Sequence, residues 1–107
     1  MGVNEDLVQR AQRGDQQARE TLILRNRAMV YHMANRLRHA GIDLDDLISA
    51  GTVGLLKAAD SHDAARGKFT TFAWWKIRSE LSAVIAAQRR ANRTKLIPGE
   101  DLDRMPW

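Results

Sequence analysis

Residues 45–60 read DDLISAGTVGLLKAAD, and this stretch decides the fold. Its apolar residues recur at helical spacing, which predicts a helix over about 44–59 with Asp43 as its N-cap. Gly51 and Gly54 each cost about 1 kcal/mol relative to alanine inside a helix. A pair of them within one turn therefore predicts close backbone packing against another helix. The predicted buried stripe consists of Leu47, Ile48, Gly51, Leu55 and Ala58 or Ala59.

Upstream of this stretch, two further helices are predicted. The first covers about residues 5–13, with Asn4 as its N-cap and Gly14 as its C-terminal stop. The second covers about residues 15–39 and ends at Gly41. Its predicted buried stripe consists of Ala18, Leu22, Asn26, Met29, Val30, Met33 and Leu37.

Downstream, residues 60–69 are predicted to form a loop, and a fourth helix follows with Thr70 or Thr71 as its cap. The apolar pattern lapses beyond about Asn92. The amphipathic stripe of this helix consists of Ala73, Ile77, Leu81, Val84, Ile85 and Gln88.

The whole chain has 107 residues, the length of one domain. It shows no long apolar/polar alternation typical of strands, and both prolines, Pro98 and Pro106, stand near its C-terminus. We therefore predict an all-α fold, a compact bundle of about four helices. The domain is expected over residues 1–95, followed by a linker or flexible tail over residues 96–107.

The composition and motifs exclude several classes of protein. The absence of cysteine excludes a disulfide scaffold, a thiolate metal site and a cysteine nucleophile. The longest apolar runs are far shorter than the ~20 residues that a membrane span needs, and no signal peptide is visible. We find no phosphate loop, His-Glu-x-x-His or Gly-x-Ser-x-Gly motif. We therefore predict a cytoplasmic protein that is not an enzyme, does not contact a membrane and needs no metal or cofactor.

The histidines and the paired aspartates are poor candidates for catalysis. His32, His39 and His62 are scattered, and their positions are more typical of the surface or of helix ends than of metal ligands. Asp45 and Asp46 are neighbours on a helix, so their carboxylates point in different directions. Helix capping and partner binding explain these aspartates better.

The net charge of +4 is unevenly distributed along the chain. Residues 1–50 hold seven arginines and seven acidic residues, so they are neutral. Residues 64–95 hold eight basic residues against Glu80 alone, which makes this stretch +7. The asymmetry predicts a polyanion such as nucleic acid on one side of the molecule. The alternative is a solvated helix face followed by a basic tail.

Residues 66–78 read RGKFTTFAWWKIR and combine aromatic with basic side chains. Every base can stack on an aromatic ring, at about 1–3 kcal/mol each, while cations hold the phosphates. The segment therefore predicts binding of single-stranded nucleic acid. The alternative is ordinary core packing, which we expect for at least two of its four aromatic residues, Phe69, Phe72, Trp74 and Trp75.

Residues 45–60 and 66–73, followed by Ile77 and Arg78, resemble region 2 of bacterial sigma factors of the sigma-70 family. The likeness covers roughly residues 5–95, and its motifs are specific: an acidic-Leu-Ile-x-x-Gly-x-x-Gly-Leu block joined to Phe-Thr-Thr-Phe-Ala. It implies a helical module that binds RNA polymerase and promoter DNA and has no catalytic activity.

The resemblance implies that the third helix docks on the clamp-helix coiled coil of the largest subunit of core RNA polymerase. The matching residues lie on the side opposite the predicted buried stripe, and this side is polar and acidic. An interaction module that holds polymerase or an anti-sigma factor through the same surface, without productive DNA recognition, is the alternative. The implied contact residues are Asp45, Asp46, Ser49, Thr52 and Leu56.

The aromatic segment matches the part of sigma that opens the −10 promoter element. In the family, a base of the single-stranded non-template strand is flipped into a pocket of aromatic and arginine side chains. Phe72 matches the stacking position, Phe69 the supporting one and Trp75 the wedge beside the last paired base. The full set implied to bind DNA is Lys68, Phe69, Thr71, Phe72, Trp74, Trp75, Lys76, Arg78, Ser79, Ser82, Gln88, Arg90 and Arg93.

Three departures from the family pattern favour an alternative, specialised sigma factor. Lys76 stands where the second of two tryptophans is expected, and Trp74 comes one position early, so either Trp74 or Trp75 is the wedge. The loop before the aromatic segment is one residue short, and Ser79 replaces a long amide.

No domain that could read a −35 element follows. The chain is accordingly either an isolated domain of a longer sigma factor or a natural region-2-only protein.

Overall fold

The computed structural model describes residues 2–38 and 41–96, and this part of the chain is helical without any strand. Its α-helices are α1 (Val3–Gln12), α2 (Gln16–Leu37), α3 (Leu44–Ser61) and α4 (Phe69–Leu96), with a short 3-10 turn at Ala64–Arg66 before α4. The predicted all-α fold is therefore confirmed.

Local sequence signals set the starts of α2 and α3: Asp43 is the N-cap of α3, as predicted, and Asp15, near which the second helix was predicted to start, is the N-cap of α2. The Asp15 carboxylate accepts a hydrogen bond from the Ala18 N–H at 3.0 Å, and Asp43 accepts one from the Asp45 N–H at 3.2 Å. The Ala18 N–H and then the Arg10 side chain lower the pKa of Asp15. Gly14 follows the end of α1 with a φ of +100°, a backbone conformation that residues with a Cβ atom rarely adopt.

The start of α1 differs from the prediction. The helix begins at Val3 with Gly2 as its N-cap, so Asn4 lies inside the first turn and does not cap it. The Asn4 side chain instead accepts a hydrogen bond from the Asn26 Nδ2 atom of α2 at 3.1 Å. The Asn4 side chain, which the local pattern predicted to cap α1, therefore bridges α1 and α2 instead.

The hydrophobic core lies where the four helices meet. The largest fully buried side chains come from α2, α3 and α4. The α2 stripe is confirmed at Ala18, Leu22, Asn26 and Val30, whereas Met29, Met33 and Leu37 are only half-buried and flank α4. The fully buried large residues are Phe69, Leu22, Leu47, Leu55, Ile77, Leu81 and Val30.

The glycines of α3 permit a close backbone contact with a neighbouring helix, as predicted. A Cβ atom added at Gly54 would lie 2.7 Å from both the Ile77 Cα atom and the Lys76 carbonyl oxygen. At Gly51 the nearest atom would be a Val30 methyl at 2.8 Å. The backbones of α3 and α4 therefore touch at Gly54, and this contact orients α4 on the bundle.

A distant side chain decides where α4 begins. The helix starts at Phe69, so neither Thr70 nor Thr71 is its cap. The Glu5 Oε2 atom of α1 accepts a hydrogen bond from the Phe69 N–H at 2.8 Å, which satisfies a donor at the helix start. A partner 64 residues away replaces the predicted local cap.

α4 also ends later in the chain than predicted. The helix continues through Asn92 to Leu96, although its apolar pattern has lapsed by then. Residues 97–107 lie outside the described residues. The domain boundary at 95/96 therefore stays a prediction.

Candidate nucleic-acid interface

α4 presents a row of aromatic, polar and basic side chains to solvent. Residues three or four positions apart share a helix face because each residue turns the helix by about 100°. Thr71, Trp75, Arg78 and Ser82 follow this spacing, and all four are exposed. Arg89 continues the row two turns later and is also exposed. Sequence reasoning missed Arg89, although its spacing from Ser82 was available as a signal.

Trp74 and Trp75 form an edge-to-face pair with their ring centroids 4.9 Å apart. Trp75 is 60% exposed, whereas Trp74 is half-buried. The Arg78 guanidinium carbon lies 5.4 Å from the Trp74 centroid and 6.0 Å from the Trp75 centroid. This arrangement offers a flat apolar ring next to a cation, as base stacking with phosphate pairing requires.

Phe72 and Phe69 lie deeper than the tryptophans. Phe69 is fully buried, so it supports the surface from the core and does not reach solvent. Phe72 is half-buried, with the Lys76 Nζ atom 5.4 Å from its ring centroid. The expectation of core packing thus holds fully for Phe69 and partly for Phe72.

His62 lies beneath both phenylalanines. His62 is the C-terminal cap of α3, which agrees with the predicted position at a helix end. Only 5% of the residue is exposed, however, so it does not lie at the surface. Its ring centroid lies 5.5 Å from that of Phe69 and 5.3 Å from that of Phe72. Neither ring nitrogen has a hydrogen-bond partner in the described part of the chain. No local signal revealed this burial, because a histidine in a polar loop is ordinarily exposed.

α2 completes the surface beside the tryptophans. Met29 of α2 lines a shallow depression of about 350 Å³ together with Thr70, Thr71, Trp74 and Trp75 of α4. The sequence could not indicate that these residues meet, since Met29 precedes the α4 residues by about 40 positions. The depression lies directly beside the exposed Trp75 ring.

The remaining residues expected to bind DNA are spread around α4. Lys68, Ser79 and Arg90 are exposed, and Lys76 is half-buried. Gln88 is half-buried and lies about 100° from the exposed row, so the structure does not bring it together with that row. Arg93 belongs to the last turns of α4, and its side chain lies outside the described residues.

The positive charge extends from α4 onto α2. Glu80 is the only acidic residue in the α4 sequence, and it forms an ion pair with Lys57 of α3. Residues 21–38 contain four arginines and no acidic residue. Residues 1–50 therefore have no net charge only because acidic residues on α1 and at the start of α3 balance the positive charge of α2.

The outer side of α3 forms a second surface, which faces away from α4 because Gly54 packs against that helix. Asp45, Asp46 and Ser49 are exposed here, while Thr52 and Leu56 are half-buried. The Thr52 hydroxyl donates a hydrogen bond to the Ile48 carbonyl at 2.8 Å. Val53 is 44% exposed on the same side and was not predicted. The surface is thus acidic with an apolar centre.

Neither a metal site nor a membrane span is indicated within residues 2–38 and 41–96. No group of three histidine, cysteine, aspartate or glutamate side chains in these ranges could hold a metal ion. None of their helices is both long enough and apolar enough to cross a bilayer.

Comparison with known proteins gives a consistent answer. The family model for sigma-70 region 2 matches residues 22–94. The chain is 37% identical to the RNA polymerase sigma factor SigA of Clostridium acetobutylicum, over 94% of this chain and 27% of that protein. It is 38% identical to the RNA polymerase sigma-F factor of Priestia megaterium, over 75% of this chain and 32% of that protein.

A third relative extends the range of sigma factors that the chain resembles. The RNA polymerase sigma-28 factor of Bacillus thuringiensis subsp. kurstaki is 42% identical over 65% of this chain and 30% of that protein. The chain spans about a quarter to a third of the length of these relatives. The matched residues include α3, the aromatic segment and nearly all of α4. The chain therefore belongs to the sigma-70 family, as its region 2.

Proposed function

We propose that this chain is a transcription-initiation module that docks on core RNA polymerase and recognises and melts the −10 promoter element through α4. The observation that carries the proposal is the exposed Trp75 ring with Trp74 and Arg78 against it. The relatives support the polymerase part, because each is named as an RNA polymerase sigma factor.

The geometry suggests how an unpaired strand is held without any catalytic step. The Trp75 ring stacks against the last paired base and stops the duplex there. The next base of the non-template strand leaves the stack, which costs a few kcal/mol, and contacts with the aromatic surface offset that cost. Arg78 and Arg89 on the exposed row then pair with phosphates. Because Lys76 lies against the Phe72 ring, a base reaches Phe72 only after Lys76 moves.

The aromatic surface is tested by the affinity of the protein for a fluorescent single strand that carries a −10 non-template sequence. Trp75→Ala should weaken binding about 5- to 150-fold, since one stacked base contributes about 1–3 kcal/mol. Phe72→Ala should have a smaller effect in the same direction, because Phe72 is less accessible. Anisotropy titrations at several salt concentrations measure both, and log K should fall linearly with log[salt].

Tyr31→Ala is the matched control for these titrations. Tyr31 is 50% exposed and lies on α2, about 160° around that helix from Met29, so its loss should leave the affinity unchanged. Unchanged affinity in both Trp75→Ala and Phe72→Ala would sink the base-stacking proposal. Equal affinity for single strands and for a duplex of the same sequence would favour a generic double-stranded DNA binder.

The acidic side of α3 supports the proposed docking on the clamp coiled coil of the polymerase's largest subunit. Exposed Asp45 and Asp46 suit a basic partner helix, and the partly exposed Val53 and Leu56 give the surface an apolar centre. Asp46→Lys should reduce binding of the coiled coil about tenfold or more, because it reverses a charge facing the partner. Biolayer interferometry with the immobilised coiled coil measures this loss.

Glu20→Lys makes the same charge change at an exposed position of α2 and should leave that binding intact. The Asp46→Lys protein should also keep its affinity for the single strand, since Asp46 lies away from α4. Coiled-coil binding that resists Asp46→Lys contradicts the proposed docking surface. Coiled-coil binding by a protein with no DNA affinity would favour the alternative, a module that holds polymerase or an anti-sigma factor.

A further inference from the structure

The outer side of α2 carries a narrow stripe of exposed side chains. Leu24 is 61% exposed and Tyr31 50%, although both are large and mainly apolar. Because each residue turns a helix by about 100°, the stripe lies within about 60° around α2, and Met29 beside the tryptophans is about 160° away from Tyr31. It is therefore separate from the proposed DNA surface. We call it the α2 stripe, and it consists of Glu20, Leu24, Arg27, Tyr31 and Arg38.

The spacing of the α2 stripe is that of a helix that packs along another helix. Its members follow one another at intervals of four, three, four and seven residues. Alternating steps of four and three residues mark the seam of a coiled coil, in which two helices contact each other over several turns. The described α1, α3 and α4 leave this seam exposed.

The charges of the α2 stripe have opposite signs at its two ends. Glu20 lies near the start of α2 and Arg38 directly after its last residue, with helical backbone angles. The Arg38 guanidinium donates a hydrogen bond to the Asn35 Oδ1 atom at 3.2 Å, on the same side of α2. Within residues 2–38 and 41–96, neither Glu20, Arg27 nor Arg38 forms an ion pair. These charges are therefore available to a partner.

This pattern is complementary to itself when a second copy runs in the opposite direction. A two-fold axis beside position 29 pairs residues that lie equally far before and after it. Glu20 then faces Arg38 of the second copy, and Arg27 faces the Tyr31 ring of the second copy, as a cation–π contact requires. Symmetry makes each of these contacts twice. A parallel arrangement would instead set Glu20 against Glu20 and Arg38 against Arg38, which like charges disfavour.

We propose that the α2 stripe is a homodimer interface in which the α2 helices of two copies pack antiparallel. Leu24 and Tyr31 supply its apolar contacts, and the small, exposed Ala28 leaves room near the two-fold axis. A uniformly acidic helix of another protein would neutralise Arg27 and Arg38 but would meet Glu20 with like charge. The occupant that satisfies every charge of the stripe is a second copy of this chain.

The dimer should be weak, because one helix from each copy buries less than the about 1,200–2,000 Å² of a standard stable interface. We expect a dissociation constant on the order of 100 µM. Sedimentation equilibrium of the full chain between about 10 µM and 1 mM should show monomers converting to dimers. The experiment contains neither DNA nor polymerase, so its result and the proposed function stand or fall separately.

Charge reversal tests the antiparallel pairing. Glu20→Arg and Arg38→Glu should each weaken self-association about tenfold or more, since each sets two like charges against each other twice. An equimolar mixture of these two variants should recover the affinity of the unmodified protein. In the mixture, each reversed position faces the reversed position of the other variant, and the unchanged Arg38 of one faces the unchanged Glu20 of the other.

Arg36→Glu is the matched control for Arg38→Glu. Arg36 is exposed on α2 but lies about 160° around the helix from Arg38, so its reversal should leave self-association unchanged. Leu24→Gln removes an apolar contact without any change of charge and should weaken the dimer severalfold. Circular dichroism should give the same helix content for all variants, because every changed residue is exposed.

Three results would overturn the proposal. The first is a protein that stays monomeric at about 1 mM. The second is a mixture of Glu20→Arg and Arg38→Glu that associates no better than either variant alone, which contradicts the antiparallel register. The third is an equal loss for Arg36→Glu and Arg38→Glu, which would make self-association a matter of net charge and not of the α2 stripe.

Discussion

Gly54→Ala is expected to lower the free energy of unfolding by about 3 kcal/mol. The added Cβ atom would stand 2.7 Å from the Ile77 Cα atom and from the Lys76 carbonyl oxygen. These are backbone atoms in the middle of α4, so they cannot rotate aside and the two helices must separate. Alanine's better helix propensity, about 1 kcal/mol, offsets only part of this cost. Urea denaturation followed by circular dichroism measures the loss.

Gly51→Ala is the matched control in the same helix. Its added Cβ atom would meet a Val30 methyl at 2.8 Å and an Ile77 methyl at 3.4 Å, both side-chain atoms of buried residues, which shift more easily than backbone atoms. The gain in helix propensity should therefore offset more of the strain than at Gly54, and the free energy of unfolding should fall by about 1–2 kcal/mol. Equal losses for the two variants would contradict a backbone contact at Gly54.

His62→Phe is expected to raise the free energy of unfolding by about 1–3 kcal/mol. A neutral imidazole has one donor and one acceptor nitrogen, and both are buried without a partner in the described part of the chain. Phenylalanine keeps an aromatic ring between Phe69 and Phe72 and removes both unpaired polar atoms, and its larger volume offsets only part of this gain. The Gln12 amide donates to the backbone carbonyl of residue 62 at 3.0 Å, and the substitution leaves that bond in place. The midpoint of thermal unfolding should rise by roughly 5–15 °C.

His32→Phe provides the control for the imidazole prediction. His32 is exposed on α2, so the same chemical change there should alter stability by no more than about 0.5 kcal/mol. Differential scanning calorimetry of both variants against the unmodified protein makes the comparison direct. A destabilised His62→Phe protein would contradict the prediction, since the cost of the larger ring would then exceed that of the two unpaired nitrogens.

The features that depend on neighbours in the chain were predictable. Asp15 and Asp43 cap their helices because their carboxylates reach N–H groups two or three residues ahead. The predicted stripes of α3 and α4 supplied core residues such as Leu47, Leu55, Ile77 and Leu81, since helical spacing decides which residues share a face, whereas Ile48, Val84, Ile85 and Gln88 are only half-buried. The glycine pair in α3 indicated a close helix contact, although the sequence did not name Ile77 as the partner.

The features that depend on distant contacts were missed or misassigned. Thr70 and Thr71 looked like caps, but Glu5 of α1 takes that role because the bundle brings its carboxylate to Phe69. The candidate site shows the same limit. Helical spacing put Lys76 close to Phe72, where it is found, yet nothing in the sequence showed that Met29 of α2 lies beside Trp74 and Trp75.

By itself, the sequence determined that this chain is a helical region 2 of the sigma-70 family, with an acidic α3 and a basic aromatic α4. Helix spacing, caps and the charge balance of each segment are properties of short stretches, so they can be read from the chain. Only the tertiary structure decided which aromatic rings reach solvent, that His62 is buried, and that α2 supplies Met29 and Arg36 beside Trp74. These outcomes follow from contacts between helices, such as the backbone contact of α3 with α4 at Gly54, whose partners the sequence does not name.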